Sequence, residues 1–305
     1  MTSRKNKLLI MKIISLFSVV RGYNIPIIVL AQYLSSIFIL GANNRALDVL
    51  LDVNLFLIVF LSSLTIASGY IINSFYDKDK DLINRPNKTM LDRLVSQKTK
   101  LQVYFGINFI VFLLAFFISI RAVLFFSIYI FLIWFYSHKL KKIVLIGNLF
   151  AAFLAILPFF AILLYYKNLY PQIFAHATFL YLLLLIREMI KDLENLKGDI
   201  ANEYQTIPVL YGEKLSKQII TILTIGSIIP IYFLVDIFDV GYMDIYFYLS
   251  LLVLLFFLVL LWNSNEKYGY LKLHNMLKFL IVSGVFCIVL IEPEVLIHGK
   301  RLLKL

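Results

Sequence analysis

A single cysteine, Cys287, occurs in the 305 residues, and it lies in an apolar run without an intrachain partner. Disulfides therefore play no part in stability. Charge is scarce too: Asp, Glu, Lys and Arg make up 15% of the chain against 61% hydrophobic residues, with a mean hydropathy of +0.88. A soluble domain carries about a quarter charged residues, so water solubility describes this chain poorly. Histidines are few: His138, His176, His274 and His298 are scattered without ligand spacing and are assigned no metal. A leader's small-residue cleavage pattern is also missing. Arg4, Lys5 and Lys7 precede an apolar stretch that Lys12 and Arg21 interrupt, so the segment is expected to be retained as an interfacial helix.

What the chain does have is a succession of apolar runs near the roughly 20 residues needed to cross a bilayer. Nine spans are predicted, at 20–40, 53–75, 102–120, 122–137, 145–165, 173–191, 218–238, 244–262 and 276–291. Helices are the expectation because lipid offers backbone polar groups no partner, and the alternating ten-residue strands of a barrel are absent. The predicted fold is an all-α polytopic membrane protein of about nine helices bundled around a central cavity, one membrane domain over 1–305. With the N-terminus on one side, alternate connections carry 23 of the 29 Lys and Arg, which places that side in the cytoplasm of an inner membrane. The basic tail of Lys300, Arg301 and Lys304 opposes this bias. The net charge of +11 is thus a topology signal, and nucleic acid is disfavoured as a partner.

Two long polar connections, 76–101 and 192–217, fall on the predicted cytoplasmic side, each with carboxylates, then basic residues, then a proline (Pro86, Pro208). Their parallel hints at internal duplication. In the first, Asn73, Asp77 and Asp81 recur at i, i+4 and i+8 and form one stripe on a continuous helix. In the second, Glu188, Asp192, Asn195 and Asp199 fall at i, i+4, i+7 and i+11, again on one face, with Gly198 able to loosen that helix. Like charges one turn apart repel unless a cation lies between them, and a hard divalent ion with oxygen ligands meets that need. A single acidic helix end is as readily a solvated one. Two at the same membrane face point to a diphosphate held by Mg²⁺.

Asn73 to Pro86, Asp192 to Asp199, and Thr206-Ile207-Pro208-Val209-Leu210-Tyr211-Gly212 together resemble the UbiA superfamily of intramembrane prenyltransferases over nearly the whole chain. That family's motifs are NDxxDxxxD and a spaced DxxxD or DxxDxxxD. Ser74 and Asn195 stand where the family often has Asp, each keeping an oxygen and removing a charge; Asp79 and Glu194 are candidates to compensate. Arg21 to Asn24 resembles a pocket-facing Arg-x-x-Asn. Tyr136 to Lys142, followed by Gly147 and Asn148, resembles the family's Tyr/Lys segment. Each of these also has an ordinary reading as a topology anchor or interfacial aromatic.

The resemblance implies prenyl transfer from a prenyl diphosphate to a membrane-held acceptor, assisted by Mg²⁺. Asp77, Asp81, Asp192 and Asp199 would hold the metal and Asn73 would orient the diphosphate. Arg85, Lys141 and Lys191 would pair with phosphate oxygens, and Arg21, Asn24 and Arg187 complete the substrate-binding set, with Tyr136 beside Lys141. Membrane helices would enclose the prenyl tail. The Arg-Glu-x-x-Lys-Asp-x-Glu-Asn stretch from Arg187 is most similar to the digeranylgeranylglyceryl phosphate synthase-like branch, which favours geranylgeranyl diphosphate as donor and geranylgeranylglyceryl phosphate as acceptor. An aromatic acceptor such as 4-hydroxybenzoate stays open. So does a cation-coupled transporter, although its charges would be expected at mid-span. The DGxxAR...GxxxD signature of CDP-alcohol phosphotransferases is absent.

Overall fold

The computed structural model describes residues 2–42 and 44–297. Lys300, Arg301, Lys304 and His298 lie outside the described residues. Among those described, eight helices are long and apolar enough to span a bilayer. The shorter Ile25–Leu40 stretch coincides with the first predicted span, so about nine crossings stand. The spans join α1 (Thr2–Val19), α2 (Ile25–Ser35, continued as a π-helical turn Ser36–Leu40) and α3 (Val53–Tyr76) to two short helices, α4 (Lys78–Asn84) and α5 (Pro86–Asp92). Then come α6 (Gln97–Ala115), α7 (Ile120–His138), α8 (Ile146–Tyr166), α9 (Pro171–Glu194), the short α10 (Leu196–Ala201), α11 (Ile207–Gly226), α12 (Ile228–Tyr232), α13 (Asp244–Asn263) and α14 (Lys267–Cys287).

The bundle is organised around α3 and α9. α3 packs on α6 and α7, while α9 packs on α8, α11 and α14. Their inward faces follow directly from spacing. On α9 the buried Phe179, Leu183, Ile186, Ile190 and Leu193 recur every three or four residues, as do Phe247, Ser250, Leu254, Phe257 and Leu261 on α13. The opposite stripe of α13, with Ile245, Leu249, Leu252, Leu255, Phe256 and Val259, is exposed as a lipid-facing surface would be.

Local chemistry sets the helix ends. Asp52 caps α3 by accepting from Asn54 N (2.9 Å) and Leu55 N (3.3 Å), and Ser96 and Ser119 cap α6 and α7. The Ser119 cap divides the third and fourth spans, but α6 runs from Gln97 to Ala115, about a turn earlier than predicted. Pro158 sits inside α8 and has no N–H to give the Leu154 carbonyl four residues back. Tyr129 of α7 donates its hydroxyl to that carbonyl at 3.0 Å, and Gln32 of α2 donates to the Pro158 carbonyl at 3.1 Å. The proline thus frees the Leu154 carbonyl for one interhelical contact, and the Pro158 carbonyl accepts a second. On α1, Ile10, Ile13, Ile14 and Phe17 form one exposed stripe, while Ser15 on the other side donates to the Leu91 carbonyl at 2.8 Å and seats the helix on α5.

Candidate active site

Neither acidic cluster lies on one continuous helix. α3 stops at Tyr76 and α4 restarts at Lys78, with Asp77 between them at φ −90, ψ 10; α9 stops at Glu194 and α10 restarts at Leu196, with Asn195 at φ −102, ψ 11. The backbone ladder still carries Asp77 N to Asn73 O (2.9 Å) and Asp81 N to Asp77 O (2.8 Å), so each break is a bend. The second bend falls at Asn195 and not at Gly198. Gly198 instead permits a close approach: a Cβ added there would lie 2.2 Å from Asn84 Nδ2. Its bare backbone lets α4 lie directly on α10 and brings the two clusters together.

Between them is a polar cavity lined by Arg21, Asn73, Asp77, Lys80, Asp81 and Arg85, by Tyr136, Lys141, Ile143, Gly147 and Asn148, and by Glu188, Lys191, Asp192, Asn195, Tyr204 and Thr206. Lys141 donates to Asp77 Oδ1 at 2.5 Å and lies 3.4 Å from Asn73 Oδ1. Tyr204 donates its hydroxyl to the same Asp77 oxygen at 2.7 Å. Asn148 donates to Asp192 Oδ2 at 2.7 Å, and Lys191 pairs with Glu188. Lys141 comes from a tight connection between α7 and α8. There Leu145 is held at φ 61, and a Cβ on Gly147 would meet the Lys141 carbonyl at 3.0 Å.

Burial alone would raise the Asp77 carboxyl, but Lys141, then Lys80, with hydrogen bonds from Lys141 and Tyr204, hold it below its ordinary value. Burial would lower Lys80, yet Asp199 and Asp77 together hold it above its ordinary value. Burial dominates at Asp199 and keeps its carboxyl raised, although Lys80 opposes this. Tyr204 is pushed up, first by burial and then by Asp77.

Of the predicted site residues, Arg21, Asn73, Asp77, Asp81, Arg85, Tyr136, Lys141, Lys191 and Asp192 share this cavity. Asn24, Arg187 and Asp199 do not line it. Asn24 precedes α2, Arg187 faces Glu188 at 3.4 Å, and Asp199 is fully buried behind Lys80. The compensating roles expected of Asp79 and Glu194 are not met: Asp79 is exposed, and Glu194 holds Arg85 (3.6 Å) and His274 (3.3 Å) from outside the lining. Ser74 points away, receiving Lys100 Nζ at 3.2 Å. Residues that the sequence left unassigned also line the cavity. Glu188 lay on the predicted stripe, Lys80 was hidden in a charge run, and Tyr204 has no local signal because only the fold carries it to Asp77.

Among the described residues no three His, Cys, Asp or Glu side chains stand together as ready metal ligands, because lysines are interleaved with the carboxylates. The donor set nonetheless suits a hard cation, being oxygen-only and lying on facing walls. Asn195 Oδ1, buried at the lining, accepts no hydrogen bond.

Residues 29–291 match the UbiA prenyltransferase family. The digeranylgeranylglyceryl phosphate synthase of Methanobrevibacter smithii is 29% identical over 255 residues, 78% of this chain and 89% of that protein. That of Sulfolobus acidocaldarius is 32% identical over 222 residues, 70% of this chain and 77% of that protein. Among solved structures, digeranylgeranylglyceryl phosphate synthase in membranes superposes with a TM-score of 0.69 at 20% identity, covering 91% of this chain and 97% of that one. A UbiA homolog from Archaeoglobus fulgidus bound to GPP and Mg²⁺ gives 0.65 at 14% identity, covering 90% and 99%. Apolar spans, a cavity between two acidic bends and a match over most of the chain lead to one assignment: this multi-pass integral membrane protein belongs to the UbiA prenyltransferase family.

Proposed function

We propose that this chain transfers a geranylgeranyl group from geranylgeranyl diphosphate to geranylgeranylglyceryl phosphate, with Mg²⁺ bound at the cavity. The observation that carries the reading is the cavity's charge: five cationic side chains, Arg21, Lys80, Arg85, Lys141 and Lys191, face four carboxylates, Asp77, Asp81, Glu188 and Asp192. One substrate with a diphosphate and another with a phosphate use several cations gathered on one lining, interleaved with carboxylates that suit a divalent ion. The relatives that are digeranylgeranylglyceryl phosphate synthases support the same pair.

In this reading Asp77, Asp81 and Asp192 would hold Mg²⁺, with the buried, unpartnered Asn195 Oδ1 on the same lining. When bound, the ion neutralises charge that builds on the departing diphosphate. Arg85, Lys141 and Lys191 contact phosphate oxygens, Arg85 with its planar fork. Asn73 orients the same group. Arg21, held 5.1 Å over the Tyr70 ring at the cavity lining, would receive the acceptor phosphate. Tyr136 closes the inner wall as Asn148 fixes Asp192. Farther along α9 lies an apolar cavity lined by Ile156, Phe160, Leu163, Phe179, Leu183 and Phe247 among others. Leu183 is one and a half turns from Glu188, about 7.5 Å along the axis, so a prenyl chain leaving the diphosphate site meets apolar walls at once. Dry, aromatic walls exclude water from an allylic cation.

The polar cavity lies at the end of the bundle that carries the basic connections, which supports a cytoplasmic-facing site. The reading is tested with purified protein, Mg²⁺ and labelled geranylgeranyl diphosphate, offering geranylgeranylglyceryl phosphate and 4-hydroxybenzoate separately. The expected result is EDTA-sensitive transfer to the glyceryl phosphate. Transfer to the aromatic acceptor alone would overturn the acceptor, and no diphosphate release with either would overturn the reaction.

A further inference from the structure

We propose that Lys80 is a built-in cation of this site: it takes the place of a divalent ion on Asp199, so the cavity binds one Mg²⁺ with its diphosphate and not one per acidic cluster. The proposal rests on the prenyl diphosphate reading above and deepens it.

The first support is the pair itself. Lys80 Nζ lies 2.6 Å from Asp199 Oδ1, with the side chain of Asp199 0% exposed and that of Lys80 15% exposed. Mg²⁺ keeps several of its waters and needs an octahedral shell, and a carboxylate enclosed in this way with an ammonium on it leaves no room for either. The second support is rigidity. Lys80 rides on α4, which Gly198 allows to lie against α10, and its ammonium sits 4.0 Å over the ring of Tyr204, whose hydroxyl is bonded to Asp77. This lysine is packed in place, not swinging in solvent.

The third is the makeup of the second cluster. It turns Glu188, Asp192 and the neutral Asn195 toward the cavity, and Lys191 already pairs with Glu188, which leaves Asp192 as its carboxylate for a divalent ion.

The test is Mn²⁺ titration followed by electron paramagnetic resonance, using the full chain in nanodiscs with a non-ionising prenyl phosphonophosphate. One Mn²⁺ per chain is expected for the unaltered protein and for Lys80→Arg. Lys80→Met frees Asp199 and raises the count to two, and Lys80→Met with Asp199→Asn returns it to one. Two Mn²⁺ on the unaltered protein would overturn the proposal, even if Lys80→Met fails to fold. A folded Lys80→Met that still binds one would overturn it as well. No Mn²⁺ bound at all would remove the prenyl diphosphate reading, and the proposal with it.

Discussion

At the scale of single residues, the site is a set of oxygen ligands kept apart by lysines. Asp77 is the most heavily engaged, receiving Lys141 and Tyr204 on one oxygen, and Asp192 is oriented by Asn148. Replacing either carboxylate removes a proposed metal ligand and leaves a buried donor without its acceptor. Asp77→Ala and Asp192→Ala are each expected to lower prenyl transfer by about 10²–10³-fold or more while the protein still inserts and purifies as a folded species. Full turnover by both, measured as diphosphate release, would dismiss the site. The sequence displayed these two aspartates because helical spacing alone puts them on a stripe. It could not display Tyr204, which is brought to Asp77 from 127 residues away, nor show that Ser74 turns from the cavity to Lys100.

At the scale of elements, bends and close approaches matter more than helix propensity. The clusters face each other because α3 and α9 each break at their polar ends and because Gly198 lets the restarted helices touch. In the bundle interior, Pro158 couples α8 to α7 by releasing the Leu154 carbonyl to Tyr129. Tyr129→Phe is expected to cost about 1–2 kcal/mol, since that carbonyl would lose its partner in a water-poor setting. In a Pro158→Ala background the restored N–H can serve the carbonyl, so the same Tyr129→Phe change is expected to cost almost nothing. Reversible unfolding in mixed micelles measures both, and equal costs in the two backgrounds would show that the proline and tyrosine are not coupled.

At the scale of the whole molecule, polarity is segregated. Apolar stripes face outward around the bundle, and the cationic cavity opens at one end. With Cys287→Ser as background, Asp79→Cys provides an exposed label next to the site. A membrane-impermeant maleimide is expected to react with it in inverted vesicles and not in right-side-out ones; the reverse pattern would place the site on the other face. Composition and run length alone determined that the chain is helical and crosses a membrane about nine times, because a bilayer tolerates few other solutions. The same sequence marked Asp77, Asp81 and Asp192 through i, i+4 repetition, a property of a single helix. Only the tertiary structure decided that Lys80 answers Asp199, that Glu194 holds Arg85 and His274 outside the cavity, and that Asn24 and Arg187 stand off it. Those outcomes depend on which helix ends meet, and that is set by packing between segments far apart in the chain.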